Sequence, residues 1–237
     1  MQAKTLLITG ASRGLGLALA RHWSAANTVI NLSRTPAVDE ADAVDGSPRV
    51  RHFACDLADA QQTVAVMQRL VSEYPRIDLL INNAAVLTTL PLAVMSTADI
   101  VRMIDVNLKA PILVSKAVFR KMVGARSGQI VNILSMAPRL CVVGDSVYSA
   151  TKAGLESFSQ VLNKEGHGFG VHVNNIGLSA FPSGMLDKVM GANPDKVLGL
   201  IPHRAFAPLA EVIAAIEFFQ ANHLDIGGQT VNFGGVR

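Results

Sequence analysis

The chain has 237 residues, half of them hydrophobic and only 16% charged, so it can bury a sizeable core and does not have the composition of a disordered segment. Its net charge of +3 comes without a dense run of lysine or arginine, which argues against a nucleic-acid partner. Two widely spaced cysteines, Cys55 and Cys141, give no disulfide framework, and the six histidines lack metal-ligand spacing. The expectation is one cytoplasmic domain over 1–237, with no metal. No apolar stretch reaches the length of a membrane span, and the first strand begins too early for a signal peptide.

Residues 5–9 read as a buried strand running into the turn Gly10-Ala11-Ser12-Arg13-Gly14-Leu15-Gly16. Helical periodicity over 14–24 follows, with Leu15, Leu17, Leu19, Ala20 and Trp23 as its apolar positions. Strands are predicted at 28–32 and 50–55, a helix at about 59–74, and a fourth strand at 77–81. A long helix is expected around 98–123, then a strand at 129–134, a helix at about 147–165 and a strand at 171–176. A helix at 210–220 and a strand at 230–233 complete the chain. Strands alternating with helices imply parallel pairing through right-handed crossovers. The predicted fold is therefore α/β, a single-domain, doubly wound parallel sheet of Rossmann-like form with helices on both faces. Ligands in such sheets bind beyond the carboxyl ends of the strands, where Gly10, Asp56, Asn83, Ser135 and Ile176 all fall.

Ser135, Tyr148 and Lys152 carry the chemistry. A phenol has an ordinary pKa of about 10, and a lysine four residues later on one helix face brings an ammonium beside it, which favours the phenolate. A hydroxyl at a strand end, Ser135, can bond the same substrate oxygen that Tyr148 protonates. Such a set suits reduction of a carbonyl or oxidation of an alcohol. Upstream, glycines 10, 14 and 16 between strand and helix let a pyrophosphate approach free helical amides. At the end of the second strand, Ser33-Arg34 stands where an acidic residue would grip ribose hydroxyls. With Arg13, these groups can receive a phosphate dianion, so NADP(H) is the expected cofactor.

On these motifs the chain resembles the classical short-chain dehydrogenase/reductase family along essentially its whole length. The resemblance implies that Ser12, Arg13, Leu15, Ser33 and Arg34 join the three glycines in holding the cofactor. It further implies that Asp56-Leu57 contacts adenine and that Asn83, within Asn82-Asn83-Ala84-Ala85, touches the cofactor ribose. Tyr148 and Lys152 would hold the nicotinamide ribose. Asn107 takes the family's fourth catalytic position, and Pro111, with no amide hydrogen, would leave the Asn107 carbonyl open for a water leading to Lys152. Where the family has Pro-Gly, then a threonine, this chain has Leu178-Ser179 with Ser183 in place, and Phe181 is expected to flank the nicotinamide.

Residues 181–200 mix apolar side chains with glycines and read as a lid over a largely apolar carbonyl or alcohol substrate. Arg126 matches one docking position of 3-oxoacyl reductases that act on carrier-protein or coenzyme-A substrates, but Phe169 stands where a second arginine is expected. A dinucleotide-binding sensor without turnover is a third reading. The family also implies a homotetramer, built on the helices that carry Ile112, Val118, Phe119, Phe158 and Leu162.

Overall fold

In the computed structural model the described residues are 3–36, 43–44, 47–48, 50–179, 198–199, 201–221 and 226–234. Strand β1 (Thr5–Thr9) feeds helix α1 (Gly14–Ser24), and β2 (Thr28–Ser33) is followed by a small antiparallel pair, β3 (Ala43–Val44) and β4 (Ser47–Pro48). Then come β5 (Val50–Ala54), α2 (Ala60–Glu73) and β6 (Leu79–Asn82). After a 3-10 turn at Leu92–Val94 the chain forms α3 (Thr97–Ile104), a π-helical stretch at Asp105–Lys109 and α4 (Ala110–Ala125). Strand β7 (Gly128–Ser135), the short α5 (Ala137–Leu140), α6 (Ser146–His167), β8 (Val171–Leu178), α7 (Leu209–Ala221) and β9 (Thr230–Phe233) follow.

The main sheet has seven strands in the order β5-β2-β1-β6-β7-β8-β9, each neighbouring pair parallel. This is the predicted doubly wound sheet. Strand order reverses between β1 and β6, and the glycine turn leaves β1 at that switch point, where such sheets bind ligands.

The strands read as continuous apolar runs because both faces are covered. Leu6, Ile8, Ile81, Val131, Ile133 and Ile176 pack with Leu15, Leu19 and Trp23 of α1 and with Val212, Ile216 and Phe219 of α7. On the other face Leu7, Ile30, Leu80, Ile130 and Val173 meet Met67 and Leu70 of α2, Val114 and Val118 of α4, and Leu162 of α6.

The long helix expected around 98–123 is present as one uninterrupted helical run over 97–125, though not all of it is α-helix. It is α3, one π-helical stretch and α4 in succession, and the Ala110 amide donates to the Asp105 carbonyl, five residues back. The break therefore starts ahead of Pro111, which lies in the first turn of α4. Of the apolar residues on the two helices named above for assembly, Val118 and Leu162 face the sheet and belong to the core.

Candidate active site

Gly10 has φ of +69° and Gly14 of +56°, values that favour glycine. A Cβ on Gly10 would meet the Ala84 backbone at 2.9 Å, and one on Gly16 would collide with the Gly10 carbonyl oxygen and the Asn83 amide. The turn is held from three sides. The Gly10 amide donates to the Leu32 carbonyl at 3.0 Å, tying it to β2. Asn83 Nδ2 donates to the carbonyls of Thr9 and Gly10 at 3.0 and 3.2 Å, while Thr9 Oγ1 accepts the amides of Asn83 and Ala84. Asn31, fully buried in β2, accepts the Ala11 amide on Oδ1 at 3.0 Å. Sequence reasoning missed Asn31, although an asparagine amid the apolar run Thr28-Val29-Ile30 was a visible signal.

Arg13, the N-cap residue of α1, and Arg34, just past β2, are both exposed beside this turn. Ser33 is placed differently from the expectation. It is buried, and its hydroxyl donates to the Thr35 carbonyl at 2.6 Å. Its own carbonyl accepts His52 Nε2 at 2.9 Å. Asp56 Oδ1 accepts the Ala58 amide at 3.1 Å, an Asx turn that starts the approach to α2, and Leu57 beside it is buried. A surface without side chains at Gly10 and Gly16 and the amides at the start of α1 together fit a nicotinamide dinucleotide.

Ser135 ends β7, and Tyr148 and Lys152 lie one turn apart on α6. Ser135 Oγ accepts the Ala137 amide at 3.1 Å, and its hydroxyl acts on the Tyr148 phenol. Tyr148 packs with Met95, Met103 and Ala137, and this burial pushes its phenol up to about 12; the Ser135 hydroxyl pulls down and the Asp145 carboxylate pushes up. Lys152 Nζ donates to the Ile133 carbonyl at 2.8 Å and lies 5.8 Å from the Tyr148 ring centroid. Its burial brings the ammonium down to about 8. The expectation that Lys152 draws the phenol downward is therefore corrected: burial of both groups outweighs it here.

Asn107, fully buried in the π-helical stretch, is gripped by one residue of the loop after β6. Its Oδ1 accepts the Val86 amide and its Nδ2 donates to the Val86 carbonyl, both at 2.8 Å. Nδ2 also reaches Thr151 Oγ1 at 3.4 Å, and that hydroxyl donates to the Tyr148 carbonyl at 2.7 Å. Asn107 thus connects the loop after β6 to the turn of α6 between Tyr148 and Lys152. Phe181 and Ser183 lie outside the described residues, as does nearly all of the expected lid at 181–200.

The description "short chain dehydrogenase" matches residues 4–193. The chain belongs to the short-chain dehydrogenase family. It is 31% identical over 243 residues to a 3-oxoacyl-[acyl-carrier-protein] reductase of Synechocystis sp., covering 99% of this chain and 97% of that one. It is 33% identical over 232 residues to D-threitol dehydrogenase of Mycolicibacterium smegmatis, covering 94% and 87%. A solved short chain dehydrogenase/reductase family protein superposes with a TM-score of 0.84 at 27% identity, covering 98% of this chain and 97% of that one.

Within this short-chain dehydrogenase a row of polar side chains crosses the sheet beneath the reacting groups. Asn82, Asn132, Asn175 and Thr230 are paired in register on β6, β7, β8 and β9. Asn82 Nδ2 donates to Asn132 Oδ1 at 2.8 Å, Asn132 Nδ2 to Asn175 Oδ1 at 3.2 Å, and Asn175 Nδ2 to Thr230 Oγ1 at 3.2 Å. Thr230 Oγ1 donates to Glu156 Oε1 on α6 at 2.8 Å, and Arg139 of α5 meets the same oxygen at 2.9 Å. This row fixes β7 and α6, and so Ser135 and Tyr148, in one frame.

The Lys152 environment predicts a pH effect on folding. A lysine held at about 8 in the folded chain and near 10.5 when unfolded destabilises the fold fully below pH 8. The unfolded chain binds more protons between those values, so this burden lifts as pH rises through them. Lys152→Met is expected to raise stability at pH 7 by on the order of 2 kcal/mol, after the lost Ile133 hydrogen bond is counted. Melting curves of the two proteins should converge toward pH 10.5. A constant difference across that range would contradict the buried-ammonium argument.

Proposed function

We propose that the protein is an NADP(H)-dependent oxidoreductase that moves hydride between the nicotinamide and a carbonyl or secondary-alcohol carbon, with Tyr148 as general acid and base. The observation that carries this reading is the convergence of the Tyr148 phenol with the buried Lys152 amine, which is held on the Ile133 carbonyl two residues before Ser135 at the end of β7.

In this mechanism Gly10, Ser12, Gly14, Leu15 and Gly16 would hold the pyrophosphate and the exposed Arg13 and Arg34 would take the ribose phosphate, while buried Ser33 shapes the loop beside them through its bond to Thr35. Asp56 and Leu57 hold the adenine, Asn83 and Lys152 the riboses, and Phe181 and Ser183 the nicotinamide end. The dinucleotide supplies the hydride. Ser135 hydrogen-bonds the substrate oxygen and fixes the reacting carbon. Tyr148 gives its proton to that oxygen as the carbon accepts hydride, and takes it back in alcohol oxidation. Lys152 beside the ring stabilises the phenolate that remains. Asn107 holds the loop and helix that frame these groups and opens a path for proton supply toward Lys152.

The apolar residues in the sequence of the expected lid, among them Met185, Leu186, Val189 and Met190, support a substrate with a largely apolar body. Cys55, buried, and Cys141, exposed, are both free thiols and fit a reducing cytoplasm. Carrier-protein docking has weaker support. The Arg126 guanidinium donates to the Gly168 carbonyl at 3.1 Å, so it braces a loop, and Phe169 presents an apolar surface. NADPH oxidation with a panel of ketones, aldehydes and 3-oxoacyl thioesters tests the reading. Tight NADPH binding with no turnover of any carbonyl above a Tyr148→Phe control would favour the sensor instead.

A homotetramer is part of the proposal. Val101 and Ile104 on α3, Val161 on α6 and Phe218 on α7 are exposed at 49%, 42%, 55% and 50%. Apolar residues on several helices suit a symmetric assembly with more than one interface. Sedimentation at micromolar concentration is expected to give a tetramer, and a monomer alone would refute it.

A further inference from the structure

Asp145 breaks a local rule beside the reacting groups. It is the N-cap residue of α6, where an aspartate ordinarily accepts a hydrogen bond from the first helical amides. Here the side chain makes no capping bond. It turns across to the loop after β6, where Oδ1 accepts Thr89 Oγ1 at 2.7 Å, and the backbone beside it repeats the link, with the Leu90 amide donating to the Gly144 carbonyl at 3.0 Å. The residue is only 6% exposed, so its carboxylate gives up hydration as well as the cap. Thr89 is its one side-chain donor among the described residues. A carboxylate wants more donors than that, and its second oxygen has capacity to spare. N-cap and N3 positions adjoin on a helix, and N3 of α6 is Tyr148. Asp145 in turn acts on the phenol, holding it up, which places its charge within electrostatic reach of the proton donor.

We propose that Asp145 reads the substrate: its second carboxylate oxygen accepts a hydrogen bond from a hydroxyl on the carbon next to the reacting one. Preferred substrates are then α-hydroxy ketones and the corresponding vicinal diols, carried on an otherwise apolar body. A 3-oxoacyl thioester has no donor at that place. A carboxylate left without a partner beside it penalises such a substrate, because a site built to bond a hydroxyl discriminates against the analogue that lacks it. This inference rests on the oxidoreductase reading above and narrows its substrate class.

The test compares acetoin with butanone, a pair differing by one hydroxyl, as substrates for NADPH-dependent reduction by the full chain. The hydroxyl alters the intrinsic reactivity of the carbonyl, so the informative quantity is how the ratio of their kcat/KM values changes between wild type and Asp145→Ala. That ratio is expected to fall about ten- to a hundredfold, the worth of a hydrogen bond to a charged group. Asp145→Asn, which keeps the shape and the Thr89 contact, is expected to lower the ratio by a smaller factor, and it carries the test if the alanine variant does not fold. Thr89→Val, which frees the carboxylate from its tether, should also lower the ratio. An unchanged ratio in these variants overturns the proposal. So does a loss falling equally on both ketones, which would make Asp145 a clamp between two loops. Turnover of butanone by the wild type with no effect at Asp145 leaves the oxidoreductase reading standing, whereas failure to reduce any carbonyl removes both.

Discussion

Tyr148→Phe is expected to lower turnover by about 10²–10⁴-fold, the usual worth of a positioned general acid. The substitution keeps the ring, which packs with Met95, Met103 and Ala137, and removes only the hydroxyl. Cofactor affinity and melting temperature should therefore change little. The burial that pushes the phenol up to about 12 keeps it protonated at neutral pH, the state a carbonyl reduction needs. Alcohol oxidation needs the phenolate, so its rate should climb with pH across the alkaline range while the reduction rate stays level near neutrality. Single-turnover measurements in both directions check this. A variant retaining more than half the wild-type chemical rate would eliminate Tyr148 as the proton donor, and an oxidation rate that falls as pH rises would reverse its assigned state.

Most of the architecture could be read before any coordinates because parallel strands covered on both faces leave unbroken apolar runs, as in Thr5-Leu6-Leu7-Ile8-Thr9. The site was legible for a related reason. Gly10, Asn83 and Ser135 each follow or end such a run, and a doubly wound sheet brings those ends together. What stayed hidden depends on contacts that no period encodes. The π-helical turn at Asp105–Lys109 adds a residue to one turn without disturbing the apolar spacing around it, so only Pro111 hinted at a break. Ser33 turns its hydroxyl inward because the Thr35 carbonyl lies two residues away, a local choice that type and position leave open. The Asn82–Asn132–Asn175 row is spread over three strands far apart in sequence. It becomes one ladder only once register aligns them. Asp145 is a different case, an aspartate at the N-cap position of α6 whose side chain turns to Thr89 instead of capping the helix. Disagreement of that kind between local preference and structure is most expected at functional positions.

Cofactor choice should follow from the same close reading. The unmodified protein is expected to prefer NADPH over NADH by roughly ten- to a hundredfold, since charge-assisted bonds to a phosphate contribute about 1.5–3 kcal/mol. Ser33 is buried with its hydroxyl given to Thr35, so the exposed guanidinium groups of Arg34 and Arg13 should account for most of this preference. Arg34→Ala and Arg13→Ala should each raise the KM for NADPH far more than that for NADH. Ser33→Ala should change the ratio less than either, acting only through the loop that the Asn31, Ser33 and His52 hydrogen bonds hold in place. Ser33→Asp combined with Arg34→Ala introduces an acceptor for the ribose hydroxyls and repels a phosphate, and should reverse the preference. The measurement is kcat/KM for both cofactors with one ketone, alongside a melting curve, because an aspartate at so buried a position must find partners or destabilise β2. Stronger use of NADH by the unmodified protein would overturn the assignment. Equal effects of Arg34→Ala on both cofactors would show that this arginine supports the turn without reading the phosphate.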